Sequence, residues 1–129
     1  MRKLNSIALA AAAAITLASG AAFAEGDAAK GEKVFKKCQA CHDASAEKNK
    51  VGPHLVGIVG RQAASVEGYK YGEGISAKAG EIGAWDEAKL MEYLADPKAF
   101  VGGKTKMAFK LSKEDERADV VAYLKSLSQ

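Results

Sequence analysis

The chain has 129 residues, 48% hydrophobic, 27% charged and 7% aromatic, with a formal net charge of +3. That length holds one compact domain, and the near-average composition excludes collagen-like, disordered and multidomain chains. Two cysteines exclude a disulfide-dense miniature scaffold.

The first 24 residues read as a cleaved signal peptide. Arg2 and Lys3 form a positive start, Ile7 to Ala18 an Ala/Leu/Ile run, and Ala22-Phe23-Ala24 a small-x-small cleavage site. The run is too short for a hydrocarbon core of about 30 Å. Cleavage after Ala24 leaves 105 residues, with 17 basic against 16 acidic side chains, a balance that gives no reason to expect nucleic acid as a partner. No later stretch is apolar enough to cross a membrane, so the expectation for 25–129 is a single domain, monomeric, in the periplasm and without a transmembrane anchor.

Asp27 is placed to cap a first helix running to about Cys38, with Val34 and Phe35 on its apolar side. From Asp43 to Tyr71 the chain is rich in Gly and polar residues and reads mainly as loops. Asp86 caps a second helix from Glu87 to about Asp96. Its Leu90, Met91, Tyr93 and Leu94 recur at helical spacing, and Pro97 marks its end. Ser112 with Asp115 resembles a capping box opening a last helix to about Leu127, whose buried stripe is Ala118, Val121, Ala122 and Leu124. Strand signals are weak. The predicted fold is all-α, three main helices plus short turns and long loops, and so small a core needs a staple.

Cys38-Gln-Ala-Cys41-His42 holds both cysteines of the chain, three positions apart, with a histidine directly behind. This is the C-x-x-C-H signature of c-type haem: two thiols add to the vinyl groups and the imidazole reaches the iron. A short-loop disulfide leaves His42 unexplained, and a thioredoxin-like pair needs a βαβ context. A zinc site needs four ligands, which Cys38, Cys41, His42 and His54 could nominally supply. Haem is favoured over all three, and a flat apolar cofactor wrapped by loops supplies the missing staple.

The other axial position has three candidates in the mature chain: His54, Met91 and Met107. Met91 falls on a helical apolar stripe, where a core role is the ordinary reading. Met107 sits in the polar loop Lys104-Thr-Lys-Met-Ala-Phe109, where packing alone gives a Met little reason to be. A thioether is a soft ligand that suits haem iron and raises its potential, so Met107 is favoured.

These segments together resemble a class I c-type cytochrome, close to bacterial cytochrome c2 and mitochondrial cytochrome c. The resemblance covers the whole of 25–129 and is carried by Gly31-Glu-Lys-Val-Phe35, the haem motif, Gly52-Pro-His-Leu-Val-Gly57 and Gly60-Arg61. It continues through Tyr69-Lys-Tyr71, Trp85, Met91-Glu-Tyr-Leu-Ala-Asp-Pro97, Lys104–Phe109 and Arg117-Ala-Asp-Val-Val-Ala-Tyr-Leu-Lys125. It implies that the Pro53 carbonyl accepts from His42, that Arg61, Tyr71 and Trp85 bond the haem propionates, and that Tyr93 places its hydroxyl near the Met107 sulfur. Phe109 would shield the haem on the Met side, and Gly31 and Phe35 would pack on the last helix near Tyr123. His54 departs from the family's usual Asn, Tyr71 to Trp85 is a few residues longer than in the mitochondrial form, and Val101-Gly-Gly103 lacks a common proline.

Iron ligated by His42 and Met107 has no open position, so the implied function is one-electron transfer and not enzyme catalysis. Lys36, Lys37, Lys48, Lys50, Lys98, Lys104, Lys106 and Lys110 flank the haem motif and Met107, while Glu73, Glu81, Asp86, Glu87 and Glu92 lie between. That dipole predicts a lysine-rich haem edge docking transiently on acidic partners. By resemblance, electrons pass from a membrane cytochrome bc complex to an oxidase, a photosynthetic reaction centre or a periplasmic reductase. The rival class is a five-coordinate haem enzyme or gas sensor, which needs an open iron and a distal acid or base.

Overall fold

A computed structural model describes residues 25–128; the expected leader, with its site at Ala24, lies outside the described residues. Five helices follow in order: α1 Ala28–Phe35, α2 Glu73–Ile82, α3 Glu87–Ala95, α4 Pro97–Val101 and α5 Glu114–Leu127. The described residues contain no strand beyond an isolated antiparallel bridge between Gln62 and Ala84. The all-α architecture with long loops expected from sequence is the observed one, with two helices more than the three expected.

Helix α1 starts where Asp27 accepts from the Lys30 N–H at 3.0 Å. The Asp27 N–H in turn donates to the Asp119 carboxylate at 2.8 Å, tying this end to α5. A Cβ at Gly31 would lie 1.9 Å from the Asp119 carbonyl oxygen, so the two helix backbones touch. Phe35, 3% exposed, packs its ring 5.6 Å from that of Tyr123. The helix ends three residues short of the expected Cys38, but the chain stays coiled. The Cys38 and Gln39 N–H groups donate to the Phe35 carbonyl, and those of Cys41 and His42 to the Cys38 carbonyl.

The segment between α1 and α2 is loops and turns, as expected. Its far end is pinned by backbone bonds from Trp85 N–H to the Arg61 carbonyl at 2.8 Å and from Gly60 N–H to the Trp85 carbonyl at 2.6 Å. Helix α2 was not predicted. Its sequence holds two glycines, and its N-cap Gly72 makes no side-chain capping bond. Tertiary packing forms it instead: a Cβ at Gly74 would lie 2.6 Å from Val101 Cγ2, and Ile82 is buried in the core.

Asp86 caps α3 as predicted, accepting from the Lys89 N–H at 2.8 Å. Pro97 does end α3, and it also opens α4. Asp96 caps that short helix by accepting from Ala99 N–H at 3.2 Å, with proline in the first turn where its missing N–H costs nothing. The Ser112 capping box is not formed. The N-cap of α5 is Lys113, which makes no side-chain bond, and three acids in the first turn favour this terminus through the helix dipole. The buried stripe of α5 is Val120, Val121 and Leu124, whereas Ala118 and Ala122 are half-buried. These join Phe35, Trp85, Leu90 and Met91 in one core, with Trp85, Tyr93 and Phe100 in mutual ring contact beside it. Each fully buried Val, Leu or Phe contributes about 1.5–3 kcal/mol.

Candidate functional site

The helices leave an apolar cleft of about 270 Å³ between α1, the loops, α3 and the segment before α5. It is lined by Cys38, Cys41 and His42 from the turns after α1, Pro53 and Arg61 from the loops, and Tyr71 and Trp85 flanking α2. Tyr93 from α3 and Met107 and Phe109 from the last loop complete the set. All ten residues singled out from the sequence therefore meet in one place. Met91, 9% exposed, belongs to the core, and His54 lies outside the cleft lining.

The Pro53 carbonyl accepts from His42 Nδ1–H at 2.7 Å. That bond fixes the tautomer and leaves Nε2 with a free lone pair, the form that ligates a metal. Burial lowers the His42 pKa below its ordinary 6.5, against the raising effect of the Pro53 bond, and the Arg61 and Lys50 charges lower it further. The site thus keeps the ring neutral. Gly52 makes room for it, since a Cβ there would sit 2.3 Å from His42 Cε1. Cys38 and Cys41 are free thiols, and burial pushes the Cys38 thiol up, so it is not a standing thiolate. Among the described residues no three His, Cys, Asp or Glu side chains gather as a metal-binding cluster, which leaves the zinc alternative without a site.

Across the sequence from these, Met107 is held by two contacts. Its N–H donates to Thr105 Oγ1 at 3.1 Å, and its sulfur accepts from the Tyr93 hydroxyl at 3.5 Å. One sulfur lone pair is used and the other is available to a soft metal.

A haem fits this lining on the structure's own terms. Arg61 Nη1 donates to the carbonyls of His54 at 3.0 Å and Val56 at 3.1 Å, while its Nε is buried with no partner. An orphaned cationic donor at an apolar cleft calls for a carboxylate, which a haem propionate supplies. Tyr71 accepts from the Val66 N–H at 3.0 Å, so its own O–H proton is free to donate. Trp85 is 5% exposed.

Sequence reasoning missed three contributors. Thr105 positions Met107 and was signalled only by standing two residues ahead of it. Gly52 was quoted in a motif without its steric role. Ile75 lines the cleft from α2, the helix that the sequence concealed.

A small helical domain that gathers two thiols, a tautomer-fixed imidazole and a thioether at one apolar cleft is built as a class I c-type cytochrome. The model of the family described as Cytochrome c matches residues 28–128. The chain is 50% identical to cytochrome c2 of Rhodospirillum rubrum over 123 residues, covering 89% of this chain and 91% of that protein. It is 51% identical to cytochrome c-550 of Paracoccus denitrificans over 128 residues, covering 87% and 81%. The solved cytochrome c2 of Rhodospirillum centenum superposes with a TM-score of 0.76 at 44% identity, over 81% of this chain and 100% of that one. The chain belongs to the cytochrome c family. Members of this family carry covalently bound haem c and transfer electrons.

Proposed function

We propose that this protein is a one-electron carrier of the periplasm, exported by its N-terminal leader and docking transiently on membrane redox complexes. The carrying observation is the convergence of Cys38, Cys41, His42 and Met107 on one apolar cleft. The bound haem supplies an iron that changes charge by one. Cys38 and Cys41 would hold it through thioether bonds to its vinyl groups. His42 Nε2, its ring held by Pro53, and the Met107 sulfur, held by Tyr93, would be the groups that ligate its iron. Arg61, Tyr71 and Trp85 would bond its propionates, and Phe109 would cover the cleft beside Met107. The apolar lining keeps solvent reorganisation small when the charge changes.

Phe109 is 36% exposed and Val51 71%, so the cleft has an apolar rim. Of the eight lysines expected around it, Lys37 pairs with Glu116 at 3.2 Å, Lys104 with Glu73 at 3.7 Å and Lys110 with Asp96 at 3.1 Å. Exposed pairs of this kind are worth at most about 1 kcal/mol, so these lysines can exchange onto a partner's carboxylates. The reading is of electrons taken from a cytochrome bc complex and delivered to an oxidase, a reaction centre or a reductase.

The test is the optical spectrum of the purified holoprotein, oxidised and reduced, with carbon monoxide then added. Low-spin bands, the weak far-red band of ferric iron bound to Met sulfur, and indifference to carbon monoxide are expected. A high-spin spectrum shifting with carbon monoxide would move the protein to the enzyme-or-sensor class.

A further inference from the structure

The segment joining α2 to α3 is held along one edge by the loop backbone. The Ala63 N–H donates to the Gly83 carbonyl at 2.9 Å, and the Trp85 N–H to the Arg61 carbonyl at 2.8 Å. The two carbonyls that this bridge leaves out, those of Ile82 and Ala84, both accept from Lys89 Nζ, at 2.7 and 3.3 Å. Lys89 stands in the first turn of α3 and lies outside the cleft lining. Its ammonium is also 3.9 Å from the Asp86 carboxylate, an exposed pair worth little by itself. The two carbonyls are its firmer partners. Helix α2 needs such a cation: Ile82 is its last residue, its last turn holds no basic side chain, and Gly83 follows at φ 67°. The free carbonyl and the negative dipole end at Ile82 therefore meet a positive charge supplied by the next helix.

We propose that Lys89 is a positioning residue for Trp85, stapling the segment that carries the indole to the end of α2 and so keeping it in the cleft lining. The inference rests on the haem c reading above, in which Trp85 donates to a propionate. A donor carried on the end of a helix with two glycines is held only as firmly as that end. The loop backbone fixes the segment through Gly83 and Trp85, and Lys89 fixes it through Ile82 and Ala84. Without the ammonium, two carbonyls lose their partner, and this segment opens more often while α1 and α5 stay packed.

The experiment is hydrogen exchange of the Trp85 indole N–H, read by nuclear magnetic resonance in the reduced holoprotein. It compares the natural chain with Lys89→Met and Lys89→Arg. Methionine keeps an unbranched stem and removes the cation, whereas arginine keeps the charge and the donors. The Val120 and Val121 amides of α5 report global opening in the same spectra. About tenfold faster indole exchange is expected in Lys89→Met, the worth of one hydrogen bond from a charged donor. The α5 amides should keep their natural rates, and Lys89→Arg should restore slow indole exchange. Unchanged indole exchange in Lys89→Met, a rise matched by the α5 amides, or an equal rise in Lys89→Arg overturns the inference and leaves the haem reading intact. A natural holoprotein lacking the His/Met spectrum overturns that reading and this inference with it.

Discussion

The Tyr93 hydroxyl donates to the Met107 sulfur at 3.5 Å, joining α3 to the loop before α5. Burial pushes the Tyr93 hydroxyl up to about 12, so it stays a neutral donor throughout the range where the protein works. Tyr93→Phe should weaken the Met107 segment by about 1 kcal/mol, the usual worth of one hydrogen bond. A group held above its unfolded value of about 10 stabilises fully below that pH and loses its contribution as pH climbs to its folded value. Denaturant unfolding of the holoprotein should show this alkaline slope in the natural chain and not in the Phe variant.

Met107→Ala removes the proposed soft ligand. The ferrous form should lose on the order of a hundredfold in relative stability, about 120 mV at 59 mV per tenfold. The far-red band should vanish and carbon monoxide should bind. A potential and spectrum unchanged from the natural protein would mean that another group ligates the iron.

Gly31→Ala tests the α1–α5 crossing. The added methyl would meet backbone, not a flexible side-chain tip. A loss of about 1–3 kcal/mol is expected, at the upper end of that range for an overpacked contact. Chemical denaturation should show an earlier midpoint at unchanged slope.

Asp96 gives an acid-side prediction. Its carboxyl is held below the ordinary 3.8 first by the Ala99 N–H it caps and then by Lys110. A depressed carboxylate stabilises above its unfolded value, and that contribution is lost as pH falls through its folded value. Asp96→Asn keeps a good cap but cannot titrate. The natural protein should lose stability more steeply than the variant below about pH 4, and equal slopes in acid unfolding curves would remove Asp96 from the account.

What the sequence made legible is what local chemistry writes plainly. Asp27 and Asp86 cap the helices assigned to them, because a carboxylate satisfies free N–H groups wherever it stands. The thiols and His42 declare themselves by spacing, and Met107 by being out of place in a polar loop. Helix α2 was not legible, since Gly74 is there to admit Val101, a neighbour 27 positions away. Helix α4 was hidden because Pro97 stops one helix and starts another, and a proline alone does not say which. Ser112 offered a cap that the chain declines in favour of starting at Glu114. Val120, 1% exposed, escaped the helical stripe because its neighbour Val121 fitted the spacing first.

Gly26 and Gly31 both abut α5 with no space for a side chain, against Ala118 and Asp119 respectively. The Cys38 turn begins three residues beyond α1, and Met107 stands seven residues ahead of α5. The joint between the chain's first and last helices is therefore a caliper for the cleft: its jaws carry His42 and Met107, and its pivot lies outside the cleft lining. A methyl added at the pivot would meet the α5 backbone and not a side-chain tip, so its cost falls on the joint that sets both jaws.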